Sequence, residues 1–515
     1  MLFRSVQVNA AQTSTFAYDA GGSGYEVIEF ATNTQATLVR HPYVTDPTSG
    51  HLVQDIYSFE GVLAESYDVS DDGLRYTFHL RQGVMSPAGN ELDADDVLWS
   101  YERKFAATTS PVRSLMNPML TDLEQQMHKI DEYTVAIDIA KPSYGITLLS
   151  MLGNMTGGIY DSDFLREQAT ADDPYAVEWS KTNPNFGYGA YLVESFRAGE
   201  ETVLVANPDY VLGEPSVKRI IQRVVPDAGN RASVVRNGDA DIAVQLRPVD
   251  VADLGSAGLS TFEVPVENNN SFALMTLTTT REPFDNELVR QAVAFAIPYE
   301  QIIDNVYFGR AERVRGQFIV PGGPGYSSEG FPQYEYDPER AKELLAEAGY
   351  PDGISFTITV SDAIPDIQEA AIQIQSFAHD AGMDISIETK PNAAFIAGRS
   401  TEEFQAFMMR SLLVNLTPQY SLLTMFNRDS PVNFSHWVND EYLSIVADGQ
   451  AIDDPYSVEA GEYWNRAERL SLEAAAMPMI AAVQPVSVFG SGVEGWAWRS
   501  DNALDYTLLH APTEA

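Results

Sequence analysis

The sequence predicts an α/β protein that a hinge divides into two lobes. With 515 residues, the chain is too long for one hydrophobic core, so two or three domains are expected. Strand patterns alternate with helix patterns over 337–414, which is typical of an α/β lobe. Near mid-chain, residues 264–297 contain a polar run, an apolar strand and a capped helix. We interpret this stretch as the first crossing between the lobes and expect the function to lie in the cleft between them.

The composition narrows the possible partners. The net charge is −41, and the chain has 7 Lys and 25 Arg. Such an acidic surface repels nucleic acids and anionic lipids. Two interpretations of the acidity stay open: ordinary solubility, and adaptation to salt water, where salt screens the self-repulsion. The scarcity of Lys also follows from GC-rich coding.

The chain has no cysteine, which excludes disulfides, thiol nucleophiles and thiolate metal sites. No apolar run approaches the roughly 18 residues that a membrane span needs. The first residues lack the apolar core of a signal peptide. The protein is therefore expected to be cytoplasmic or to have a leader that this numbering omits.

The first third of the chain shows one clear supersecondary unit. A glycine-rich joint at 21–24 precedes the segment 40–43, Arg-His-Pro-Tyr, for which we favour a solvated loop over a ligand contact. Residues 63–81 alternate as two strands around the turn 70–73, the period-2 pattern of an antiparallel pair. A helix should then begin at Asp93, because acidic residues in its first turn favour the helix dipole.

Four segments of this unit carry a resemblance to a known family. They are Leu-Ala-Glu-Ser at 63–66, Ser-Asp-Asp-Gly-Leu at 70–74, Tyr-Thr-Phe-His-Leu-Arg-Gln-Gly-Val at 76–84 and Ala-Asp-Asp-Val-Leu-Trp-Ser at 94–100. In this order and spacing they resemble the extracellular solute-binding proteins of ABC importers, family 5, which include dipeptide, oligopeptide and nickel receptors. Asn-Pro-Asp-Tyr at 207–210 and Val-Arg-Gln-Ala at 289–292 extend the resemblance, which covers roughly residues 60 to 500.

The resemblance implies a two-lobe periplasmic-binding-protein fold of type II, with central mixed sheets flanked by helices and a ligand cleft at the hinge. The implied boundaries place the core of lobe I at 1–45, 180–266 and 485–515, an extra subdomain of lobe I at 46–179, and lobe II at 267–484. One departure is Thr278, which stands where the family has an Asn before its Pro-Phe-Asp motif.

The second half is predicted from local signals. After 283–286 a helix presents Val289, Val293, Ala296 and Ile297 on one face. The helix of 337–350 has Asp337 as N-cap, Pro338 at its first position and Gly349 after its end. Further expected elements are a strand at 354–360, a helix at 366–381, strands at 385–389 and 403–414, a helix at 456–475 and a return to the first lobe over 477–489.

The motifs favour a binding protein over an enzyme. The seven histidines show no His-Glu-x-x-His spacing, and no Gly-x-Ser-x-Gly elbow occurs. We therefore predict no catalytic residues, no metal and no cofactor. A hydrolase acting on a small solute outside the cytoplasm and a receptor that presents its ligand to a sensor are the alternatives.

The resemblance also bears on the ligand. In the family's peptide receptors, an aspartate after the strand that corresponds to 403–414 pairs with the ammonium group of the peptide. Val414 takes its place here, and no acid lies between Arg410 and Asp429. Losing such a charge-assisted bond costs about 1.5 to 3 kcal/mol, which disfavours ordinary dipeptides.

We predict a periplasmic or extracellular receptor that captures a peptide-like or other amphipathic solute and, as a monomer, delivers it to the permease subunits of an ABC importer. For the aromatic candidates a core role is the alternative, and for Arg410 it is a surface ion pair. The predicted ligand-binding residues are Asn33, Arg40, Met409, Arg410, Ser411, Asn415, Phe434 and Trp437.

Overall fold

A computed structural model describes residues 4–21, 24–47, 49–108, 110–265, 268–314, 316, 318–319, 323–327, 329–399, 401–413, 415–430 and 432–512. The chain forms two compact units. Unit 1 comprises Met1–Leu246, Asp253–Phe262 and Val486–Ala515, and unit 2 comprises Arg247–Ala252 and Glu263–Pro485. The subdivision of lobe I, with an extra subdomain at 46–179, stays a prediction.

The strands of the described ranges follow in chain order. They are β1 (Arg4–Asn9), β2 (Val39–Arg40), β3 (Tyr43–Thr45), β4 (Leu52–Gln54), β5 (Glu60–Gly61), β6 (Ala64–Val69), β7 (Arg75–Leu80), β8 (Met127–Asp131), β9 (Thr134–Asp138), β10 (Tyr191–Arg197), β11 (Glu201–Ala206), β12 (Arg219–Val224), β13 (Ile242–Ala243), β14 (Ser260–Thr261), β15 (Ser271–Leu277), β16 (Ala311–Glu312), β17 (Ile354–Ser361), β18 (Met383–Lys390), β19 (Ala406–Leu412), β20 (Met479–Val483), β21 (Val488–Phe489) and β22 (Ala497–Trp498).

The α-helices of the same ranges are α1 (Tyr25–Thr34), α2 (Ala94–Ala106), α3 (Val112–Met116), α4 (Leu123–Gln126), α5 (Gly145–Leu152), α6 (Ser162–Gln168), α7 (Val177–Ser180), α8 (Ala228–Arg236), α9 (Pro248–Ser256), α10 (Glu287–Phe295), α11 (Tyr299–Asn305), α12 (Pro338–Glu347), α13 (Pro365–Ala378), α14 (Asn392–Arg399), α15 (Pro418–Phe426), α16 (Asp440–Gly449) and α17 (Val458–Ala474).

Local capping signals set several helix starts as predicted. Asp93 caps α2 through the backbone N–H groups of Asp95 and Asp96, and Asp96 bonds back to the Asp93 N–H to complete a capping box. Asp337 caps α12, with Pro338 at its first position. Both predicted helix starts are confirmed. They could be predicted from the sequence because an N-cap depends only on residues within one helical turn.

Unit 1 is built on a seven-stranded mixed sheet in the order β10-β11-β12-β1-β13-β21-β14. Its central strand β1 pairs in parallel with β12 and β13. The hairpin predicted from 63–81 forms β6 and β7 of a separate four-stranded antiparallel sheet in the order β6-β7-β9-β8. Smaller sheets join β2 with β5, and β22 with β4 and β3.

Unit 2 contains a six-stranded sheet in the order β16-β20-β15-β19-β17-β18. Strands β17, β18 and β19 are parallel neighbours, while β15 pairs antiparallel with β19. Of the predicted apolar face, Val289 and Val293 lie in α10, whereas Ala296 and Ile297 follow directly after the helix. All four residues lie in one hydrophobic core with residues of this sheet. The α/β fold class of the chain is confirmed.

The Val-Arg-Gln-Ala motif has a structural role within unit 2. Arg290 is buried, and its Nε donates to the Ala474 carbonyl at 2.7 Å while its Nη1 donates to the Phe284 carbonyl at 2.9 Å. Gln291 donates to the Glu473 carbonyl at 2.8 Å. The motif thereby satisfies carbonyls at the end of α17, which have no partner within the helix.

Thr278 is fully engaged by the sheet of unit 2. Its hydroxyl donates to the Phe404 carbonyl at 2.7 Å, and its N–H donates to the Gln405 carbonyl at 2.9 Å.

Across the described ranges, every helix is too short or too polar to span a bilayer. No group of three or more His, Asp and Glu side chains in these ranges could hold a metal ion.

Candidate functional site

The parallel strands of unit 2 end at one edge of the sheet, where Ser361, Lys390 and Leu412 terminate β17, β18 and β19. In open α/β sheets, ligands bind beyond the carboxyl ends of the parallel strands. Helix α13 begins at this edge, four residues after β17. Arg410 lies two residues before the end of β19 and is therefore placed near this edge.

Arg410 forms a half-buried ion pair with the first turn of α13. Its Nε donates to Asp366 Oδ2 at 2.8 Å, and the Tyr307 hydroxyl donates to the same oxygen at 3.1 Å. Burial lowers the pKa of Arg410, but the Asp366 carboxylate and Tyr307 raise it by more, so its pKa lies above the ordinary value. The ion pair is electrically neutral, and it uses only the Nε donor of the guanidinium.

One of those donors has no partner. The Nη2 atom of Arg410 is buried and makes no hydrogen bond within the described part of the chain. A buried donor without an acceptor costs about 1 to 3 kcal/mol. Arg410 thus forms an ion pair, as in the alternative of a surface ion pair, but the pair is half-buried. Its unpartnered Nη2 can also donate to a polar oxygen of a bound solute.

Met409 and Ser411 lie on the opposite face of β19 from Arg410, because successive strand residues alternate. Met409 is buried, with its Sδ 3.8 Å from Nη1 of Arg399 at the end of α14. The Arg399 guanidinium carbon lies 4.7 Å from the centroid of the Phe434 ring. The structure thus brings Met409 and Phe434 together around an arginine that the sequence patterns did not single out.

Trp437 packs in a separate aromatic cluster. Its ring lies 4.9 Å from that of Phe426 and 5.3 Å from that of Tyr442, and only 8% of the residue is exposed. This geometry favours the core role that we gave as the alternative. We therefore do not retain Trp437 as a ligand contact.

Asn415 is engaged by its own chain. Its Oδ1 accepts hydrogen bonds from the Thr417 N–H at 2.9 Å and the Thr417 hydroxyl at 2.6 Å. These bonds shape the turn before α15, so its side chain has a structural role. Val414, which replaces the aspartate of the peptide receptors, lies outside the described residues.

In unit 1, Asn33 is completely buried in α1. Its amide nitrogen donates to the carbonyls of Glu29 and Leu504, both at 2.8 Å, and its Oδ1 accepts from the Tyr506 N–H at 2.8 Å. Both ends of the amide fasten the C-terminal segment to α1. We therefore do not retain Asn33 as a ligand contact either.

Arg40 does line a pocket in unit 1, of about 40 Å³. Its Nε donates to Glu60 Oε1 at 2.6 Å. The interpretation of 40–43 as a solvated loop is wrong, because Arg40 and Tyr43 lie in β2 and β3 and His41 is 2% exposed. Strand β2 pairs with β5 and strand β3 pairs with β4, and the His41 ring between them is buried. The polar composition of the segment therefore does not place it in solvent. Burial lowers the pKa of His41 to about 4.

The same pocket is bordered by a buried charge cluster. Arg499 Nε and Nη2 contact the Asp501 carboxylate at 3.0 and 2.9 Å, and the Tyr43 hydroxyl donates to Asp505 at 2.9 Å. Thr32 contributes a buried hydroxyl oxygen that has no partner within the described ranges. The volume suits a few waters or one small polar group. The sequence reasoning missed this cluster because Tyr43 lies 456 positions from Arg499 and 462 from Asp505.

Comparisons with known proteins agree with this architecture. Residues 58–432 match the family model described as bacterial extracellular solute-binding proteins, family 5 Middle. The probable di/tripeptide-binding protein 5 of Pseudomonas aeruginosa is 28% identical over 98% of this chain and 96% of its own. Heme-binding protein A of Haemophilus influenzae is 30% identical over 59% of this chain and 56% of its own.

Solved structures share the fold over the whole chain. The periplasmic binding protein DppA of Helicobacter pylori, in complex with the peptide STSA, superposes with a TM-score of 0.82 at 23% identity, covering 98% of each chain. MoaA from A. tumefaciens R10, in complex with mannopinic acid, gives a TM-score of 0.83 at 21% identity and covers both chains completely. At this level of identity, the likeness concerns the fold.

Proposed function

The chain belongs to the bacterial extracellular solute-binding proteins of family 5, and on that premise we propose that it binds a small peptide-like or other amphipathic solute in a mode that does not depend on a free ammonium group. The chain is a solute-binding receptor of an ABC importer. The proposal therefore concerns the identity of the solute that this receptor binds. We propose that the receptor works as a monomer outside the cytoplasmic membrane.

The Arg410–Asp366 pair is the observation that carries the proposal. Because the Asp366 carboxylate neutralises the guanidinium, the pair favours an uncharged acceptor such as a peptide or amide carbonyl. Nη2 has no other acceptor among the described residues and gains a hydrogen bond when such an oxygen binds. A hydrogen bond from a charged donor contributes about 1.5 to 3 kcal/mol.

The second support is the absence of an acid between Arg410 and Asp429. A peptide ammonium buried here would lose hydration without gaining a carboxylate. Relatives named for di- and tripeptides and for heme show that the family scaffold accommodates chemically different solutes. A blocked or modified peptide satisfies both observations better than an ordinary dipeptide.

The test compares free and N-acetylated di- and tripeptides in thermal-shift and calorimetric titrations. We expect the acetylated members of each pair to bind at least as tightly as the free peptides, since acetylation removes the ammonium that finds no carboxylate. Binding only of peptides with a free ammonium would contradict the proposal.

The role of Arg410 is tested on whichever solute binds in that screen. Arg410→Met should weaken its binding by roughly 10- to 100-fold, because one charge-assisted hydrogen bond is lost. Arg428→Met is the matched control, since Arg428 is an exposed arginine of unit 2 that pairs with the exposed Asp440. Equal affinities of the Arg410→Met and Arg428→Met proteins would remove Arg410 from the site.

For unit 1 we propose the pocket beside Arg40 as the corresponding polar subsite. Arg40 is partly exposed, with 24% of its side chain accessible, and the unpartnered Thr32 hydroxyl borders the same pocket. Arg40→Met should weaken binding of the same solute. An unchanged affinity of the Arg40→Met protein would show that Arg40 does not contact the solute and only forms its ion pair with Glu60.

A further inference from the structure

Asn9, the last residue of the central strand of unit 1, has a buried acceptor without a donor. It ends β1 and is 4% exposed, and its Oδ1 atom has no hydrogen-bond partner within the described ranges. Buried polar atoms of native proteins are mostly hydrogen-bonded. The Oδ1 atom therefore indicates a partner that is not part of the chain itself.

Asn9 lies at the edge of the unit 1 sheet where three parallel strands end. Strand β1 runs parallel to β12 and β13, so Asn9, Val224 and Ala243, their last residues, lie at the same edge. In open α/β sheets, ligands bind beyond the carboxyl ends of the parallel strands. The unpartnered oxygen is thus placed where a bound solute can supply the missing donor.

A small cavity adjoins Asn9 at this edge. Its volume of about 10 Å³ is room for one group of the size of a water molecule. The walls include Ala11, which is exposed, and Gln12 and Glu26, which are half-buried. A small group can therefore enter the cavity from the surface of unit 1.

The other side-chain amides in the cavity walls are already bonded within the chain. The Gln12 amide donates to the Arg197 carbonyl at 3.0 Å and to the Thr202 hydroxyl at 3.1 Å. The Gln222 amide donates to the Glu29 carboxylate at 3.2 Å. The atom that is left is an acceptor, so the cavity selects a group that donates a hydrogen bond.

Gln245 fixes the strand ends around the cavity. Its amide nitrogen donates to Glu26 Oε1 at 2.9 Å, and its Oε1 accepts from the Ala10 N–H at 3.2 Å. Its carbonyl accepts from Arg231, which also donates to the Val225 carbonyl at 2.6 Å. Gln245 has a φ of 55°, a left-handed conformation that persists only where the surroundings hold it. The edge is therefore built in one fixed geometry.

We propose that Asn9 Oδ1 is an acceptor subsite of unit 1 that binds the NH₂ group of a primary amide in the solute. This inference rests on the proposed receptor function and narrows its solute to molecules with such an amide. Because the Asn9 side chain is neutral, it suits an uncharged amide better than a buried ammonium. Arg410 donates to a carbonyl oxygen and Asn9 accepts from an N–H group, and a carboxamide supplies both chemistries.

The test titrates acetylated dialanine as its primary amide and as its dimethylamide, which has no terminal N–H. The wild type should bind the primary amide roughly 3- to 10-fold more tightly, the effect of one hydrogen bond. Asn9→Leu should bind both probes equally, whereas Asn9→Asp keeps an acceptor and should keep the preference. Asn207→Leu is the matched control: Asn207 is a buried asparagine of unit 1 that donates to the Gly189 carbonyl at 3.0 Å, and its loss should leave the preference unchanged.

Thermal unfolding without probe separates this role from a structural one. Asn9→Leu should unfold at or above the wild-type midpoint, because it replaces an unsatisfied buried acceptor with an apolar group, and Asn207→Leu should unfold below it. An Asn9→Leu protein that unfolds below the wild type would show that Asn9 holds a structural water, and it would overturn the subsite.

Two results of the titration would also overturn the subsite: equal affinities of the wild type for the two probes, or a preference that persists in Asn9→Leu. Arg410→Met should weaken both probes and keep their ratio, so the two sites are read from different quantities. A wild type that binds neither probe would contradict the proposed function and the Asn9 subsite together, whereas equal affinities would contradict the Asn9 subsite alone.

Discussion

Lys104 is a fully buried cation in unit 1, next to the buried Arg103–Asp19 ion pair. Its ammonium donates to the Gly158 carbonyl and lies 4.5 and 5.1 Å from the ring centroids of Tyr101 and Tyr160. Burial lowers the pKa of Lys104 to about 7, although the Asp19 charge acts in the opposite direction. Its charge is consequently costly in the folded state.

The depressed pKa of Lys104 predicts a pH dependence of stability. Between about pH 7 and the ordinary lysine value near 10.4, the unfolded chain binds the proton that the folded chain releases, so the free energy of unfolding rises with pH. From pH 7 to pH 9 the contribution is on the order of 2 kcal/mol, since one pKa unit corresponds to about 1.4 kcal/mol. Urea unfolding of the wild type and Lys104→Met at both pH values measures it.

The Lys104→Met protein should lack that part of the rise, whereas the exposed Lys342→Met should keep it. Lys342 is suited as a control because it lies on the surface of unit 2 and pairs with Glu339 at 2.8 Å. Parallel pH profiles of the wild type and Lys104→Met would show that Lys104 keeps its proton at both pH values.

The buried carboxylate of Glu29 helps to hold helix α1 against the rest of unit 1. Glu29 accepts hydrogen bonds from the Tyr25 hydroxyl, from the Tyr506 hydroxyl at 2.6 Å and from the side-chain amides of Gln7 at 2.6 Å and Gln222 at 3.2 Å. Within the described ranges no cation pairs with Glu29, and the four donors compensate for this, although burial still raises the pKa of Glu29. The network joins α1, β1, β12 and the C-terminal segment.

Removing one donor of this network should destabilise unit 1. Tyr506→Phe removes the hydroxyl that donates to Glu29 and accepts from Gln222 at 2.8 Å, so we expect a loss of about 1 to 3 kcal/mol in the free energy of unfolding. Chemical denaturation measures this loss. The matched change Tyr336→Phe, which removes a single bond to the Phe377 carbonyl at 3.1 Å, should cost less. A Tyr506→Phe protein as stable as the wild type would show that the Tyr506 hydroxyl does not contribute to holding the C-terminal segment.

Charge acts on the molecule as a whole. The chain carries −41 at pH 7, and many of its ion pairs are exposed ones that contribute little each. The repulsion among the excess acidic groups is therefore the larger electrostatic effect on the folded state, and salt screens it over a Debye length of about 30 Å at 0.01 M and 3 Å at 1 M.

Raising NaCl from about 0.01 M to 1 M should raise the unfolding midpoint, if the acidity is an adaptation to salt water. KCl should act equally at the same ionic strength, which separates screening from specific ion binding. A midpoint that falls or stays constant would favour the simpler interpretation, that the acidic surface only keeps the protein soluble.

The sequence by itself determined the features that depend on neighbours in the chain. The capping box at Asp93, the N-cap at Asp337 and the alternation of β7 follow from interactions within a few residues, and they appear as predicted. The short motifs also indicated the family, and the match of residues 58–432 to the family model confirms it.

Only the tertiary structure decided which polar residues are free to bind a solute. The Asn33 side chain is hydrogen-bonded to backbone groups more than 470 positions away in the chain. Arg410 is paired with Asp366, which lies 44 positions before it. Asn9, by contrast, keeps an unpartnered Oδ1 atom in the described ranges. Sequence patterns report the period of a strand or helix, but the partner of a buried charge depends on contacts between distant segments, which form only when the chain folds.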